Sequence, residues 1–201
     1  MQQSTSRQLY AYWDRVRNGR IAPGRFEIEP SKIAPLLSET FIAECSGLRS
    51  YRFRLAGTKI CEQFGRELRG TDLMNLWDPK DRDAFASLLR TVFTDGAVGQ
   101  VLFHAYSEAH RQVKFELVLM PLIHTSETIN RVLGAVTAIE PPFWLGSVPL
   151  ARQEIIEAHL HWPDGAPAFA TPATQTQSAA SAAEVVRSVR RRFRVYNGGL
   201  D

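Results

Sequence analysis

The side chains able to do chemistry are spread along the chain rather than gathered into a motif. Among five histidines and two cysteines, one pair is closely spaced, His159-Leu160-His161. Two imidazoles at i, i+2 share a face only on an extended segment, and the sequence supplies no evident third ligand, so no metal site is expected. Cys45 and Cys61 are too few and too far apart for a disulfide framework or a zinc knuckle, and read as small buried apolar residues. His104 falls in a candidate strand, His110 and His124 in loops. No Gly-x-Ser-x-Gly elbow, His-Glu-x-x-His or phosphate-cradling Gly-x-x-x-x-Gly-Lys occurs. Glu116, His104 and Asp72 are the titratable groups that an enzyme or carrier on an α+β cavity fold would have to bring together. Their spacing does not show that they meet. The expectation is a protein that is not an enzyme, with that cavity enzyme or carrier as the alternative.

Charge is uneven only at the end of the chain. From Pro163 onward there are five basic residues, Arg187, Arg190, Arg191, Arg192 and Arg194, against three acidic ones. The residues before it hold 19 against 18, and the net charge is +3. A balanced body gives no field to gather nucleic acid, so none is expected to bind there. The arginine group reads as a solubilising tail or as an electrostatic contact with an acidic partner protein, a nucleic acid or anionic lipid. With 44% apolar and 22% charged residues the chain can bury a core. No apolar run reaches the roughly 18–20 residues of a membrane span, and no secretory leader is evident. A cytoplasmic protein is expected.

These residues need a scaffold, and the periodicities predict one. Leu9, Trp13 and Val16, with Tyr10 and Tyr12 beside them, give an amphipathic helix over 7–17 that stops at Gly19. Residues 21–37, punctuated by Pro23, Pro30 and Pro35, read as extended. Strands over 40–45 and 51–56 form a hairpin, followed by short helical turns between Gly57 and Trp77. Asp78 N-caps a longer helix with Pro79 at its first position and Phe85, Leu88, Leu89 and Val92 as its stripe. Strands over 100–106, 113–120 and 131–139 follow, and 150–161 reads as a further short helix. The fold class is α+β: a five-stranded antiparallel sheet with helices on one face and an N-terminal helix. Residues 1–20 form that helix, 21–162 the domain, and 163–201 a flexible linker and arginine-rich tail.

The block RFRLAGTKICEQFGRELRGTDLMNLWDPKDRDAFASLLRTV, Arg52 to Val92, resembles single-domain bacterial PAS proteins of the PAS-5 type. Carrying the likeness are a strand ending in a Gly-Thr step, Phe64-Gly-Arg-Glu-Leu68, Leu76-Trp77 and the Asp-Arg helix start. The end, Tyr196-Asn197-Gly198-Gly199, is similar too. The resemblance implies a PAS fold with a cavity between helices and sheet, and places Tyr51, Phe53, Phe64, Leu73, Trp77, Phe85, Leu89, Phe103 and Phe115 around it. It implies no cofactor here. The light-sensing flavin cysteine is missing from Arg66-Glu-Leu-Arg-Gly70, and 81–93 carries no histidine to hold a haem. It further implies a signalling module that acts by contact with a partner signalling protein, with or without a small ligand in that cavity to gate it. The contacts would be an exposed Tyr10/Trp13 stripe, serving also a homodimer through the N-terminal helix, and Arg187, Arg190, Arg191, Arg192 and Arg194.

Overall fold

The computed structural model describes residues 1–47, 49–125, 127–165 and 193–196. Helix α1 (Ser4–Arg17) is followed by 3-10 turns at Arg25–Glu27 and Pro30–Glu39. Then come β1 (Thr40–Gly47), β2 (Ser50–Ala56), α2 (Thr58–Phe64), a 3-10 turn at Leu73–Leu76 and α3 (Pro79–Asp95). The remaining strands are β3 (Val98–Ser107), β4 (Gln112–Ile123), β5 (Ile129–Ile139), β6 (Leu150–His161) and β7 (Phe193–Tyr196). They form one sheet in the order β2-β1-β5-β4-β3-β6-β7. Every pairing is antiparallel except that of β7 on β6.

The first five strands and α3 match the sequence reading closely. Asp78 Oδ1 accepts the Lys80 N–H, Pro79 opens α3, and Gly96 closes it at φ +69°. Gly57, of the Gly-Thr step, has a specific role: a Cβ there would lie 2.3 Å from the Ser38 carbonyl oxygen. At Gly134 a Cβ would meet the Phe41 ring at 2.2 Å, so the glycine lets that ring lie against β5.

Four expectations are corrected. The sheet has six antiparallel strands and a short parallel seventh instead of five. The sixth is 150–161, expected as a helix. Opposite β3, β6 carries two irregularities, which leave Ala151 and Ile156 without register partners. Each bulge inserts one residue, so the core-facing Leu150, Gln153, Ile155 and Ala158 are spaced three, two and three apart, which imitates a helical stripe. Residues 21–37 are largely 3-10 turns rather than extended, with Pro30 opening the second, which kinks at Ile33. Finally, part of the 163–201 segment expected to be flexible forms β7, paired with β6. The linker expected over 163–183 lies mostly outside the described residues, as do Arg187, Arg190, Arg191 and Arg192.

Both faces of the sheet are covered. On one, α2, α3 and the Leu73–Leu76 turn enclose a large core containing Phe41, Phe53, Phe85, Leu89, Phe103, Phe115 and Leu117. On the other, α1 and the Pro30–Glu39 segment bury a second core of Leu9, Trp13, Ile33, Ile42, Val118, Met120 and Leu133. Strand alternation divides the sheet residues between them.

Candidate ligand cavity between the helices and the sheet

All nine residues expected around a cavity reach the first core, each no more than 6% exposed. Their rings fill most of the space. Trp77 lies 4.6 Å from Phe85 and meets Phe103 edge-on at 5.1 Å, while Phe103 stacks on Phe115 at 5.2 Å. What remains is a cavity of about 10 Å³ lined by Phe64, Leu73, Leu76, Trp77, Phe103, Leu117, Val136 and Gln153. That is about the space one water molecule needs.

Phe64, Leu73, Trp77 and Phe103 thus line the cavity, whereas Tyr51, Phe53, Phe85, Leu89 and Phe115 belong to the same core without lining it. Sequence reasoning missed Leu76, Leu117, Val136 and Gln153. Leu117 and Val136 share the alternation of residues already recognised as core. Gln153 was concealed by the helical reading of β6. Local hydrogen bonds fix its position: the Asp78 N–H donates to the Gln153 carbonyl at 3.0 Å, and an isolated β-bridge pairs Trp77 with Gln153. Beside it, the fully buried Asp81 accepts the Ile155 N–H at 2.9 Å, next to the bulge. The N-terminal turn of α3 therefore holds β6 in place.

The three titratable candidates do not converge. Glu116 lies on the other face, fully buried, accepting the backbone N–H groups of Gln2 and Gln3 at 2.6 and 2.8 Å and the Gln100 side chain at 2.6 Å. It is a carboxylate set at the N-terminal end of α1, where the helix dipole favours negative charge. His104 alternates onto that same face of β3, between Lys114 and Glu154 in the ladder. Desolvation, then Lys114, lowers its pKa. Asp72 sits beside β2, accepting from Ser50 Oγ and capping the 3-10 turn through Met74 N–H. No titratable side chain lines the cavity.

The other sites are equally plain. His159 and His161 do lie on an extended strand, with Glu157 3.2 Å from His159, yet no metal-holding group of three His, Cys, Asp or Glu occurs among the described residues. Cys45 and Cys61 are half-buried at the core's edge rather than enclosed, and burial raises the Cys61 pKa. The expected exposed stripe on α1 is corrected. Trp13 is fully buried and Tyr10 nearly so, because both pack on the chain's own sheet. Trp13 also donates its indole N–H to the Pro121 carbonyl at 2.9 Å.

Along the chain, two strands, short helical turns, a longer helix and three strands follow one another in the order the sequence reading gave, and in the sheet these strands lie in the order β2-β1-β5-β4-β3. A family model described as PAS domain matches residues 1–137. The chain belongs to the PAS domain family. Strand β6 lies beyond the residues matched. Among solved structures, this PAS chain is similar to a light-oxygen-voltage domain studied with a flavin analogue, at 14% identity and a TM-score of 0.43, over 55% of this chain and 83% of that one. It is also similar to the LOV protein of Rhodobacter sphaeroides, at 13% identity and 0.42, over 77% and 73%. An RNA-binding light-oxygen-voltage receptor gives 13% and 0.43, over 59% of this chain and 33% of that one. No curated protein matches the sequence. Among the described residues, no helix is long and apolar enough to cross a membrane.

Proposed function

We propose that this PAS domain is a regulatory module that acts by contact with a partner signalling protein and is gated by a small ligand in the α3-face cavity. One observation carries the reading: β6 bears on both faces of the sheet. Gln153, near its start, lines the cavity. At its end the His161 ring lies against Tyr10 of α1, with Nε2 3.3 Å from the hydroxyl. Just past the strand, Asp164 takes both terminal nitrogens of Arg17 at 2.6 and 2.9 Å. A ligand that displaces the cavity wall acts on the strand to which α1 is fastened, and thereby changes the surface offered to a partner.

Arg187, Arg190, Arg191, Arg192 and Arg194 supply the second contact, an electrostatic one with an acidic surface on that partner. A cavity enzyme finds less support, since the groups it would use lie on different parts of the fold.

The reading is tested by capturing the partner on immobilised full chain, purifying it, and measuring its affinity for the native chain and for Arg17→Met. An affinity that changes severalfold when α1 is loosened supports the reading. Failure to enrich any protein over a control, or an affinity indifferent to Arg17, overturns it. Replacing the five tail arginines with Gln should weaken binding and flatten its salt dependence.

A further inference from the structure

Phe143 is 96% exposed, more than any other large apolar side chain among the described residues. It stands in the run 141–149, between β5 and β6, which carries no charged residue. A single exposed apolar side chain is ordinary, but the loop that holds this one out is pinned. Trp144 and Leu145 pack against the α3-face core, and the Arg111 guanidinium lies over the Trp144 ring, 5.9 Å from its centre. Within the loop the Trp144 carbonyl accepts from the Ser147 and Val148 N–H groups at 3.0 and 3.2 Å, and the Leu145 N–H donates to the Pro142 carbonyl at 3.0 Å. A hydrogen-bonded backbone therefore presents the Phe143 ring to water, which spares a partner much of the entropy of ordering it.

Beside the loop lies a cleft of about 290 Å³, lined by Arg66, Glu108, Val148, Pro149, Leu150 and Ala151. Val148, bonded to the residue after Phe143, belongs to both, so ring and cleft adjoin. A benzene ring fits in about 150 Å³, so the cleft has room for a phenylalanine side chain. Its two charges come from different elements. Arg66 follows Gly65, which approaches Pro149 so closely that a Cβ would lie 2.6 Å from the proline side chain. Glu108 follows Ser107, which pairs with Leu150 between β3 and β6. Both are exposed, and neither side chain has a hydrogen bond or ion pair among the described residues.

One patch holds an aromatic knob, a cleft of matching size, a cation and an anion. A two-fold contact requires a surface that complements itself, and this one does so in shape and in charge. We propose that the 141–149 loop and the cleft beside it form an interface between two copies of this chain. Phe143 of each copy sits in the cleft of the other, and each Arg66 faces the other copy's Glu108. The dimer contact expected on α1 is not available, because Tyr10 and Trp13 are buried against the chain's own sheet. The interface on the β5–β6 connection goes beyond the gating reading and does not depend on it.

Sedimentation velocity of the full chain over a concentration series tests the proposal. A reversible monomer–dimer equilibrium is expected. Aromatic anchors carry much of the affinity of an interface, so Phe143→Ser, at a side chain standing in water, should weaken the dimer by about tenfold or more. Arg66→Glu and Glu108→Arg should each weaken it severalfold. Together they should recover most of the loss, because the pair again places opposite charges across the two-fold. A chain that is monomeric at every concentration overturns the proposal and assigns the loop to a different protein. A dimer indifferent to Phe143→Ser overturns it as well. So does a double reversal that binds no better than the single ones, since that denies the reciprocal pairing of Arg66 and Glu108.

Discussion

The two faces of the sheet are held by different physics. The α3 face is closed by aromatic and aliphatic packing, with rings 4.6–5.2 Å apart around a cavity of about 10 Å³. The α1 face also has an apolar centre, in Leu9 and Trp13, but polar contacts fasten its ends. Glu116 holds the start of α1. At the other end the buried Arg17 is paired with Asp164 and, at 2.6 Å, with Asp14. Packing of the first kind is cooperative, since each ring is a wall for the next. Fastenings of the second kind can be undone singly. The α3 face therefore responds as a whole, whereas the α1 face can dock and undock as a unit.

The largest effect that would sharpen this contrast is expected from Phe115→Ala. Truncating a fully buried ring should cost about 3–5 kcal/mol and lower the global denaturation midpoint. Glu116→Gln should come next, at about 1.5–3 kcal/mol, by weakening charge-assisted hydrogen bonds at the start of α1. Its signature is local: faster hydrogen exchange in α1 with little change in α3. Arg17→Met should cost about 1 kcal/mol, because the guanidinium is buried but Asp164 and Asp14 are largely in water, and should also loosen α1 selectively. If either polar substitution lowered protection evenly over the whole sheet, the contrast between the faces would break.

The smallest effect concerns pH. His161 has a lowered pKa, first through desolvation and then through the nearby terminal amine, with Asp14 opposing and Arg17 adding to the shift. A histidine whose folded pKa lies below its unfolded value near 6.5 lets the unfolded chain bind the proton more readily. Its contribution is present above the unfolded pKa and is lost as pH falls through the folded one. Acidification from neutral pH should loosen α1, and His161→Phe should flatten that dependence in hydrogen exchange.

Much of the α3 face was legible in the sequence. The alternation of Val113, Phe115, Leu117 and Leu119, the stripe on α3, and the Asp78-Pro79 start are local signals that tertiary context leaves alone. The α1 face was harder to read. An aromatic stripe on an amphipathic helix does not say whether it covers its own sheet or another chain, and here it covers its own. Nor does Glu116, one of several carboxylates, show from its neighbours that it will meet a helix start 113 residues away. Strand β6 was hidden for a third reason: two bulges changed its period, and with it went Gln153 of the cavity lining.

Native-state hydrogen exchange on the full chain, resolved by residue, tests the separation of the two faces most directly. The prediction is that the amides of α1 exchange through an opening of lower free energy than those of α3 and β4. Glu116→Gln and Arg17→Met should lower that opening energy further and leave α3 and β4 unchanged. If α1 exchanges only through global unfolding, with the same free energy as α3 and the same response to both substitutions, α1 does not dock and undock as a unit, and the account is contradicted.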